Sequence, residues 1–315
     1  MTKSSSIIQH SLNMITYNLK KPSIWCKLLF IIILILLIAS FFKKNPELEG
    51  FIDSETFEYK TGDEIYDNFY ANIYDFLVFN QAKNDYEIGR IVNSVEPDEA
   101  SRILDIGSGT GHHVDMLHQM GYNAVGLDNS PSMIEQANKS YPDHEYILGD
   151  AMNTLAFQPH SFTQILCLYF TLYYMKDKQQ FFGNCFNWLL PGGSLVIHVV
   201  DPSMFDPIIP PANPLVMLTP QRYADERITH SKVTFDDFKY ISNFEMDGKN
   251  AKFVERFKNK DTDHTFRKNE HILYMDSEDD ILTMAKNVGF IVQGKIDMIK
   301  SGYEYNYLYI LEKPQ

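Results

Sequence analysis

Residues 103–117 read ILDIGSGTGHHVDML, an apolar strand, a loop with glycines at 107, 109 and 111, and the start of a helix. Glycines let a backbone adopt angles closed to other residues and lie against a ligand. Asp105 precedes the loop, and Asp128 lies seventeen residues beyond Gly111, at the end of the run NAVGLD. A carboxylate there can accept hydrogen bonds from both hydroxyls of a ribose. The pattern therefore indicates a site for a nucleoside cofactor.

The sequence around this loop alternates short β-branched runs with helix-like stretches. Such alternation predicts an α/β fold with a parallel sheet wrapped by helices. The segment LLPGG at 189–193 is expected to end a helix and turn the chain into the next strand. Ser277 to Asp280 is predicted to cap a further helix that ends near Gly289. The predicted strands are 102–107, 123–128, 146–150, 163–170, 194–200, 290–299 and 305–313.

Residues 202–275 interrupt this alternation. Several prolines forbid regular structure in its first part, and alternating aromatic and polar residues follow on both sides of Asp247-Gly248, a hairpin turn signal. We expect an antiparallel β insertion after the fifth strand. An element at that point overhangs the carboxyl ends of the strands, where ligands bind, and would act as a substrate cap. The alternative is that the hairpin builds a homodimer interface.

Two features narrow the choice of cofactor. Asp150 closes the third strand, where it can meet an adenine amino group, and the spacing Asp105-x-Gly107-x-Gly109-x-Gly111 differs from the dinucleotide fingerprint GxGxxG. At this point the sequence resembles the class I S-adenosylmethionine (SAM)-dependent methyltransferases, well over about 66–200 and more loosely over the last forty residues. Asp128 and Asp150 could instead only cap a helix and a turn.

This resemblance implies a Rossmann-like sheet of seven strands and SAM as cofactor. The glycine loop would hold methionine and ribose, Asp128 the ribose, and Asp150 the adenine. No metal is implied, since His112 and His113 are neighbours on a helix and point about 100° apart. The implied cofactor residues are Asp105, Gly107, Ser108, Gly109, Gly111, Asp128, Asn129, Met133, Asp150, Ala151, Met152, Leu168 and Tyr70.

The methyl acceptor is expected to be a small molecule. A net charge of -13 is the wrong sign for binding nucleic acid. The segment CLYFTLYYM at 167–175 lacks the Asn/Asp-Pro-Pro-aromatic motif of DNA methyltransferases. Together with the strand and insertion that follow, it resembles small-molecule methyltransferases, including those that N-methylate amino sugars or amino acids, so an amine or hydroxyl acceptor is expected. The candidate catalytic residues are His198, Asp201 and Tyr173, with His271 behind them. Their structural alternatives are a buried imidazole, a turn before Pro202, and packing.

Other functions stay open at this stage. A lipid, quinone or lipid-linked acceptor would require an apolar tunnel beside the insertion. A SAM-binding regulator without turnover would bind cofactor and methylate nothing, and a protein-modifying enzyme would use the insertion to grip a peptide. The aromatic residues between Tyr66 and Leu77 recur at helical spacing, which predicts a helix that packs on the domain or serves as a lid.

Residues 28–42 read LLFIIILILLIASFF, flanked by lysines. This run predicts a single transmembrane helix over about 24–43, within a leader of residues 1–45 that precedes a methyltransferase domain at 46–315. The three cysteines, Cys26, Cys167 and Cys185, have no disulfide or metal-ligand spacing, which suits a reducing compartment. We therefore expect a single-pass membrane protein whose catalytic domain faces the cytosol.

Overall fold

The structure is a computed structural model that describes residues 32–33, 57–212 and 220–315, without the side chains of Pro220 and Arg222. The chain divides into two units, 1–54 and 55–315, and the elements below belong to the second. Within the described ranges, no helix is long and apolar enough to cross a membrane. Apart from Ile32 and Ile33, the span predicted at 24–43 lies outside those ranges.

The second unit is built from strands and helices that follow the predicted order. The strands are β1 Glu58–Thr61, β2 Arg102–Ile106, β3 Asn123–Asp128, β4 Glu145–Leu148, β5 Phe162–Cys167, β6 Leu189–Val200, β7 His230–Thr234, β8 Phe238–Asp247, β9 Asn250–Asn259, β10 Thr265–Tyr274, β11 Ile291–Asp297 and β12 Asn306–Glu312. The helices are α1 Asn68–Val78, α2 Gln81–Val95, α3 His112–Gln119, α4 Pro131–Ser140, α5 Thr171–Tyr174, α6 Lys178–Trp188 and α7 Glu278–Val288.

Seven strands form the central sheet, in the order β11-β12-β6-β5-β2-β3-β4. Strand β12 runs antiparallel to both of its neighbours, and the pairs among β6, β5, β2, β3 and β4 are parallel. Successive residues of β5 pack into opposite hydrophobic clusters, Ile165 on one face and Leu166 on the other. Because both faces are buried, the strands are apolar throughout. The predicted seven-stranded Rossmann-like sheet is confirmed.

The residues that were expected to bound the helices do so. Pro131 occupies the first turn of α4, and the Ser130 hydroxyl accepts a hydrogen bond from Met133 N at 3.1 Å. Ser277 caps α7 in the same way through Asp280 N, and Gly289 ends that helix with φ of 119°. The segment LLPGG differs from expectation, because β6 already begins at Leu189 and the glycines lie within the strand.

A second sheet covers the carboxyl ends of the central strands, in the order β1-β10-β9-β8-β7. Strands β7 to β10 are antiparallel and come from the expected insertion, and β8 and β9 flank the Asp247-Gly248 turn. Strand β1 lies far earlier in the chain and pairs in parallel with β10. Helix α1 packs under this sheet, where its Tyr70 and Leu77 share one cluster with Tyr240 and Phe257.

Candidate active site

The glycine loop between β2 and α3 adopts a conformation that requires glycine. Gly107, Gly109 and Gly111 have φ of 71°, 54° and 90°. A Cβ on Gly107 would lie 2.5 Å from Thr171 Cγ2, and one on Gly111 would overlap the Tyr146 hydroxyl. The loop is tied to the next strand by Gly107 N, which donates to Leu127 O at 2.7 Å. The backbone of this loop is therefore held open against the ends of β2 and β3.

Asp128 and Asp150 lie at the carboxyl ends of β3 and β4. Asp128 Oδ2 accepts from Gly109 N and Oδ1 from Ser130 N, each at 2.9 Å. Burial raises the pKa of Asp128, and these backbone N–H groups partly offset that rise. Asp150 Oδ1 accepts from Met152 N at 2.8 Å. Both carboxylates thus support their own loops and also line a cavity.

This cavity has a volume of about 410 Å³ and extends from the glycine loop to the inner face of the second sheet. Its size lies in the range of small-molecule sites. Three of the predicted cofactor residues, Asp105, Gly111 and Met152, are not part of its lining. The structure brings the other ten together around it: Gly107, Ser108, Gly109, Asp128, Asn129, Met133, Asp150, Ala151, Leu168 and Tyr70.

The residues at this end of the cavity fit a nucleoside cofactor such as SAM. The glycine backbone forms a cradle in which no side chain would fit at Gly107. Ser108 Oγ and Asp105 Oδ2 are buried and have no hydrogen-bond partner within the protein. Burial raises the pKa of Asp105 to about 6, against its ordinary value of 3.8. Unpaired polar atoms beside an open cradle are typical of a ligand site.

The opposite end of the cavity contains a buried carboxylate, Glu255 of β9. Oε1 accepts hydrogen bonds from the hydroxyls of Tyr70 and Tyr240, at 3.0 and 2.8 Å. Oε2 accepts from Asn269 Nδ2 at 2.9 Å and lies 2.8 Å from His271 Nε2. Burial alone would raise the pKa of Glu255, but His271 and the donated hydrogen bonds lower it. Glu255 is therefore a stable anion inside the protein.

This anion fixes the orientation of His271. Because a carboxylate only accepts, Nε2 carries the ring proton, and Nδ1 is left to accept from Tyr174 Oη at 2.8 Å. Tyr174 and His271 both line the cavity, and 37% of the Tyr174 surface is accessible. Burial raises the pKa of Tyr174 well above its usual value. Glu255, His271 and Tyr174 thus form a hydrogen-bonded chain that ends at the cavity.

None of the three predicted catalytic residues is part of the cavity lining. His198 is fully buried, Nε2 lies 3.0 Å from Asn306 Oδ1, and burial lowers its pKa to about 4. The Tyr173 hydroxyl accepts from Val200 N at 2.8 Å within the core. Asp201 Oδ1 accepts from the backbone N–H and hydroxyl of Ser203, which forms a turn. These contacts match the structural alternatives: a buried imidazole for His198, packing for Tyr173 and a turn for Asp201.

The residues at the insertion end have weaker signals in the sequence. Tyr173 and Tyr174 are neighbours in CLYFTLYYM. The helical turn of α5 directs Tyr174 to the cavity and Tyr173 into the core. Glu255 occupies an inward position of β9, between Phe253 and Phe257. A lone carboxylate on an otherwise apolar face could have marked it as functional, because an unpaired charge is costly to bury.

Comparisons with known proteins agree with this geometry. Residues 104–197 match the family described as Methyltransferase domain. Trans-aconitate 2-methyltransferase of Escherichia coli O1:K1 is 31% identical over 101 residues, which are 31% of this chain. The chain spans only 39% of the length of that relative. The prediction of a methyltransferase domain is confirmed for the matched residues, which include no strand of the second sheet.

Solved structures resemble a larger part of the chain. The match to a SAM-dependent methyltransferase from Clostridium acetobutylicum covers 79% of this chain and 99% of that protein, with a TM-score of 0.59 and 17% identity. The match to CcbJ methyltransferase of Streptomyces caelestis covers 81% of this chain and 100% of that protein, with a TM-score of 0.61 and 15% identity. The match to the sugar N-methyltransferase KedS8 of Streptoalloteichus covers 75% of this chain and 88% of that protein, with a TM-score of 0.53 and 19% identity. At these identities the likeness establishes the methyltransferase fold.

Proposed function

We propose that the protein is a SAM-dependent methyltransferase that transfers a methyl group to a small-molecule acceptor held under the second sheet. One observation carries the proposal. A single cavity connects the glycine loop and Asp128, at the cofactor end, to His271 and Glu255 at the other end. Two reactants must meet in line for this transfer, and a continuous cavity lets the protein hold both. The methyltransferase domain match at 104–197 supports the assignment of the cofactor end.

The cofactor end would hold SAM through backbone and carboxylate groups. When bound, SAM supplies an electrophilic methyl group on a sulfonium. Gly107 and Gly109 would let the loop approach the ligand, Asp128 would accept hydrogen bonds from the ribose, and Asp150 would bind the adenine amino group; all four residues line the cavity. Asp105 is buried next to the loop but does not line the cavity, so it would support the loop and not touch the cofactor.

The acceptor end would remove a proton. Tyr174 Oη can take a proton from the acceptor atom while its own proton passes to His271 Nδ1, 2.8 Å away. The resulting imidazolium would be stabilised by Glu255, which lies 2.8 Å from Nε2 and is already ionised. General bases of this kind contribute roughly 10²–10⁴-fold to a rate. His271 replaces His198, Asp201 and Tyr173 in this proposal, because those side chains lie outside the cavity lining.

The acceptor need not be the one in the name of the curated relative. A tricarboxylate such as trans-aconitate requires cationic side chains. Among the described lining residues there is no arginine and one lysine, Lys83, whose Nζ lies 2.6 Å from Glu87. The lining favours instead an acceptor with an apolar body, which a quinone or lipid-linked compound would also provide. The apolar side chains at this end are Phe170, Met175, Phe205, Ile208, Ile209, Phe244, Phe253 and Leu273.

The membrane anchor over about 24–43 and the cytosolic orientation of the domain belong to this proposal as well. Their support is the apolar run at 28–42 and the absence of disulfide spacing among the three cysteines. Fractionation of cells that express the full chain tests the anchor. Recovery of the chain in the soluble fraction, or its release from membranes by a salt wash, would contradict it. Protease protection of a carboxyl-terminal tag in sealed vesicles tests the orientation, and a protected tag would contradict a cytosolic domain.

The full chain, incubated with methyl-labelled SAM and a panel of amines, phenols, carboxylic acids and quinols, tests the activity. Label should enter at least one acceptor class, and His271→Asn should lower kcat by about 10²-fold or more. In that variant SAM affinity should stay within about twofold. SAM binding without transfer to any acceptor would favour a non-catalytic regulator. A chain that does not bind SAM would overturn the proposal entirely.

A further inference from the structure

Five aromatic rings lie together in the wall of the cavity, with Tyr66 at the centre of the group. The Tyr66 ring centroid lies 5.5 Å from that of Tyr70, 6.4 Å from Tyr74, 6.1 Å from Tyr174 and 6.2 Å from His271. All five side chains line the cavity. They come from the segment before the central sheet, from α1, from α5 and from β10, so the fold assembles them from distant parts of the sequence. We call this set the tyrosine cage.

The charge around the cage is negative. Glu255 lies directly behind it, bonded to the Tyr70 hydroxyl and to His271. The described lining has one lysine, already paired with Glu87, and no arginine. Its acidic residues are Asp63, Asp75, Asp128, Asp150, Asp206 and Glu255. Within this part of the chain, the cavity therefore attracts cations and repels anions.

We propose that the tyrosine cage binds a cationic amine, so that the methyl acceptor is an alkylammonium nitrogen. This inference rests on the proposed methyltransferase function and names its substrate class. Aromatic faces attract a cation, more strongly where water is excluded. They do so without hydrogen bonds to the cation, so the cage can hold a nitrogen whether or not it already carries methyl groups.

The same geometry provides acceptors for the proton that an ammonium must lose. A protonated amine has no lone pair, so it cannot act as a nucleophile. Its proton passes to Tyr174 Oη as the hydroxyl proton of Tyr174 passes to Nδ1 of His271, 2.8 Å away. The amine becomes neutral, Tyr174 ends unchanged, and the positive charge moves to His271 beside ionised Glu255. A cage that binds the cation is thus adjacent to groups that neutralise it.

Two probes of similar shape test the charge preference. The full chain is saturated with S-adenosylhomocysteine and titrated by saturation-transfer NMR with tetramethylammonium chloride and, separately, with neopentyl alcohol, which is neutral. We expect tetramethylammonium to bind about tenfold more tightly, equivalent to ~1.4 kcal/mol. Equal affinities for the two probes, or no binding of either, would overturn the inference.

Matched variants locate the binding. Tyr66→Leu and Tyr74→Leu should each weaken tetramethylammonium about three- to tenfold, whereas Tyr66→Phe and Tyr74→Phe keep a ring and should stay within about twofold. Two positions are used because one leucine variant could fail to fold, which circular dichroism reports. If both folded leucine variants bind the probe as the parent does, the cage is not its site.

Calorimetry with S-adenosylhomocysteine and with SAM on every variant separates the two proposals. If the parent chain binds neither nucleoside, the proposed function fails, whatever the probe does. If it binds both, and the leucine variants lose SAM affinity but keep S-adenosylhomocysteine and tetramethylammonium affinity, the cage serves the sulfonium and the amine inference fails. Tyr74 lies beside the glycine loop, where a Cβ on Gly109 would be 3.7 Å from its ring, so this control is needed. We expect both nucleosides to bind all variants within about threefold of the parent.

Discussion

The carboxylate of Asp128 accepts a hydrogen bond from the backbone N–H of Gly109, with 2.9 Å between N and Oδ2. This bond joins the end of β3 to the tip of the glycine loop between β2 and α3. Asp128 Oδ1 meanwhile accepts from Ser130 N at the start of α4. One side chain therefore positions the loop, the strand end and the next helix, in addition to its proposed contact with ribose.

Asp128→Ala should weaken SAM binding about 10- to 100-fold. Hydrogen bonds to a charged group are worth roughly 1.5–3 kcal/mol, and the variant loses the ribose contacts together with the bond that holds Gly109. Titration calorimetry with SAM measures the loss. Asp143→Ala, at an exposed aspartate that does not line the cavity, is the control and should bind SAM as the parent does. Parent-like affinity of a folded Asp128→Ala chain would remove Asp128 from the binding site.

Gly107→Ala should destabilise the protein and disrupt the loop. At φ of 71° an alanine is strained, and its Cβ would lie 2.5 Å from Thr171 Cγ2. A cost of about 1–3 kcal/mol in the free energy of unfolding follows. Gly89→Ala is the contrasting control, because Gly89 lies inside α2 with open space around it and should gain about 0.5–1 kcal/mol. Urea unfolding of both variants checks the opposite signs.

The central sheet could be predicted from the sequence because its signals are local. The glycine loop, the buried strands and the helix caps at Ser130 and Ser277 each lie within a few residues. The inward residues of the second sheet were harder to assign a role, because Glu255 acquires its partners from β8, β10 and α1 only when the chain folds. The proposed chemistry of the acceptor end therefore depends on long-range pairing, which no local pattern encodes.

The choice between Tyr173 and Tyr174 illustrates the same limit. Both lie in one short motif, as the last two residues of the four-residue helix α5. Their side chains separate because Tyr173 meets Val200 N of β6, whereas Tyr174 meets His271 of β10. Strand β1 is not among the predicted strands for a related reason. Its four residues form a strand only by pairing with β10, about two hundred residues later.

Arg267 should be needed to hold the segment of β1 against the second sheet. Its guanidinium is 1% exposed, donates to both carboxylate oxygens of Asp67 at 2.9 and 2.8 Å, and donates to Ile65 O at 2.8 Å. Arg267→Met should cost about 3 kcal/mol, and Arg267→Lys a large part of that, because an ammonium cannot reproduce the fork. Amide hydrogen exchange at 58–65 should accelerate in both. Arg256→Met, at an exposed position, should leave exchange there unchanged.

Asp105→Asn should make the protein more stable at pH 8. Burial raises the pKa of Asp105 to about 6 from an ordinary value of 3.8, and its Oδ2 has no hydrogen-bond partner within the protein, with His113 Nδ1 3.9 Å away. Between these two pH values the native state binds the proton more tightly than the unfolded state. The contribution of this carboxyl to stability is therefore fully present below about pH 4 and is lost as the pH rises through 6.

Asparagine is isosteric and neutral, so it does not undergo this loss. The difference in unfolding free energy between Asp105→Asn and the parent should grow between pH 5 and pH 8, toward a value on the order of 3 kcal/mol, since one pKa unit is worth ~1.4 kcal/mol. Urea unfolding at a series of pH values measures it. A difference that stays constant over this range would show that Asp105 does not titrate there.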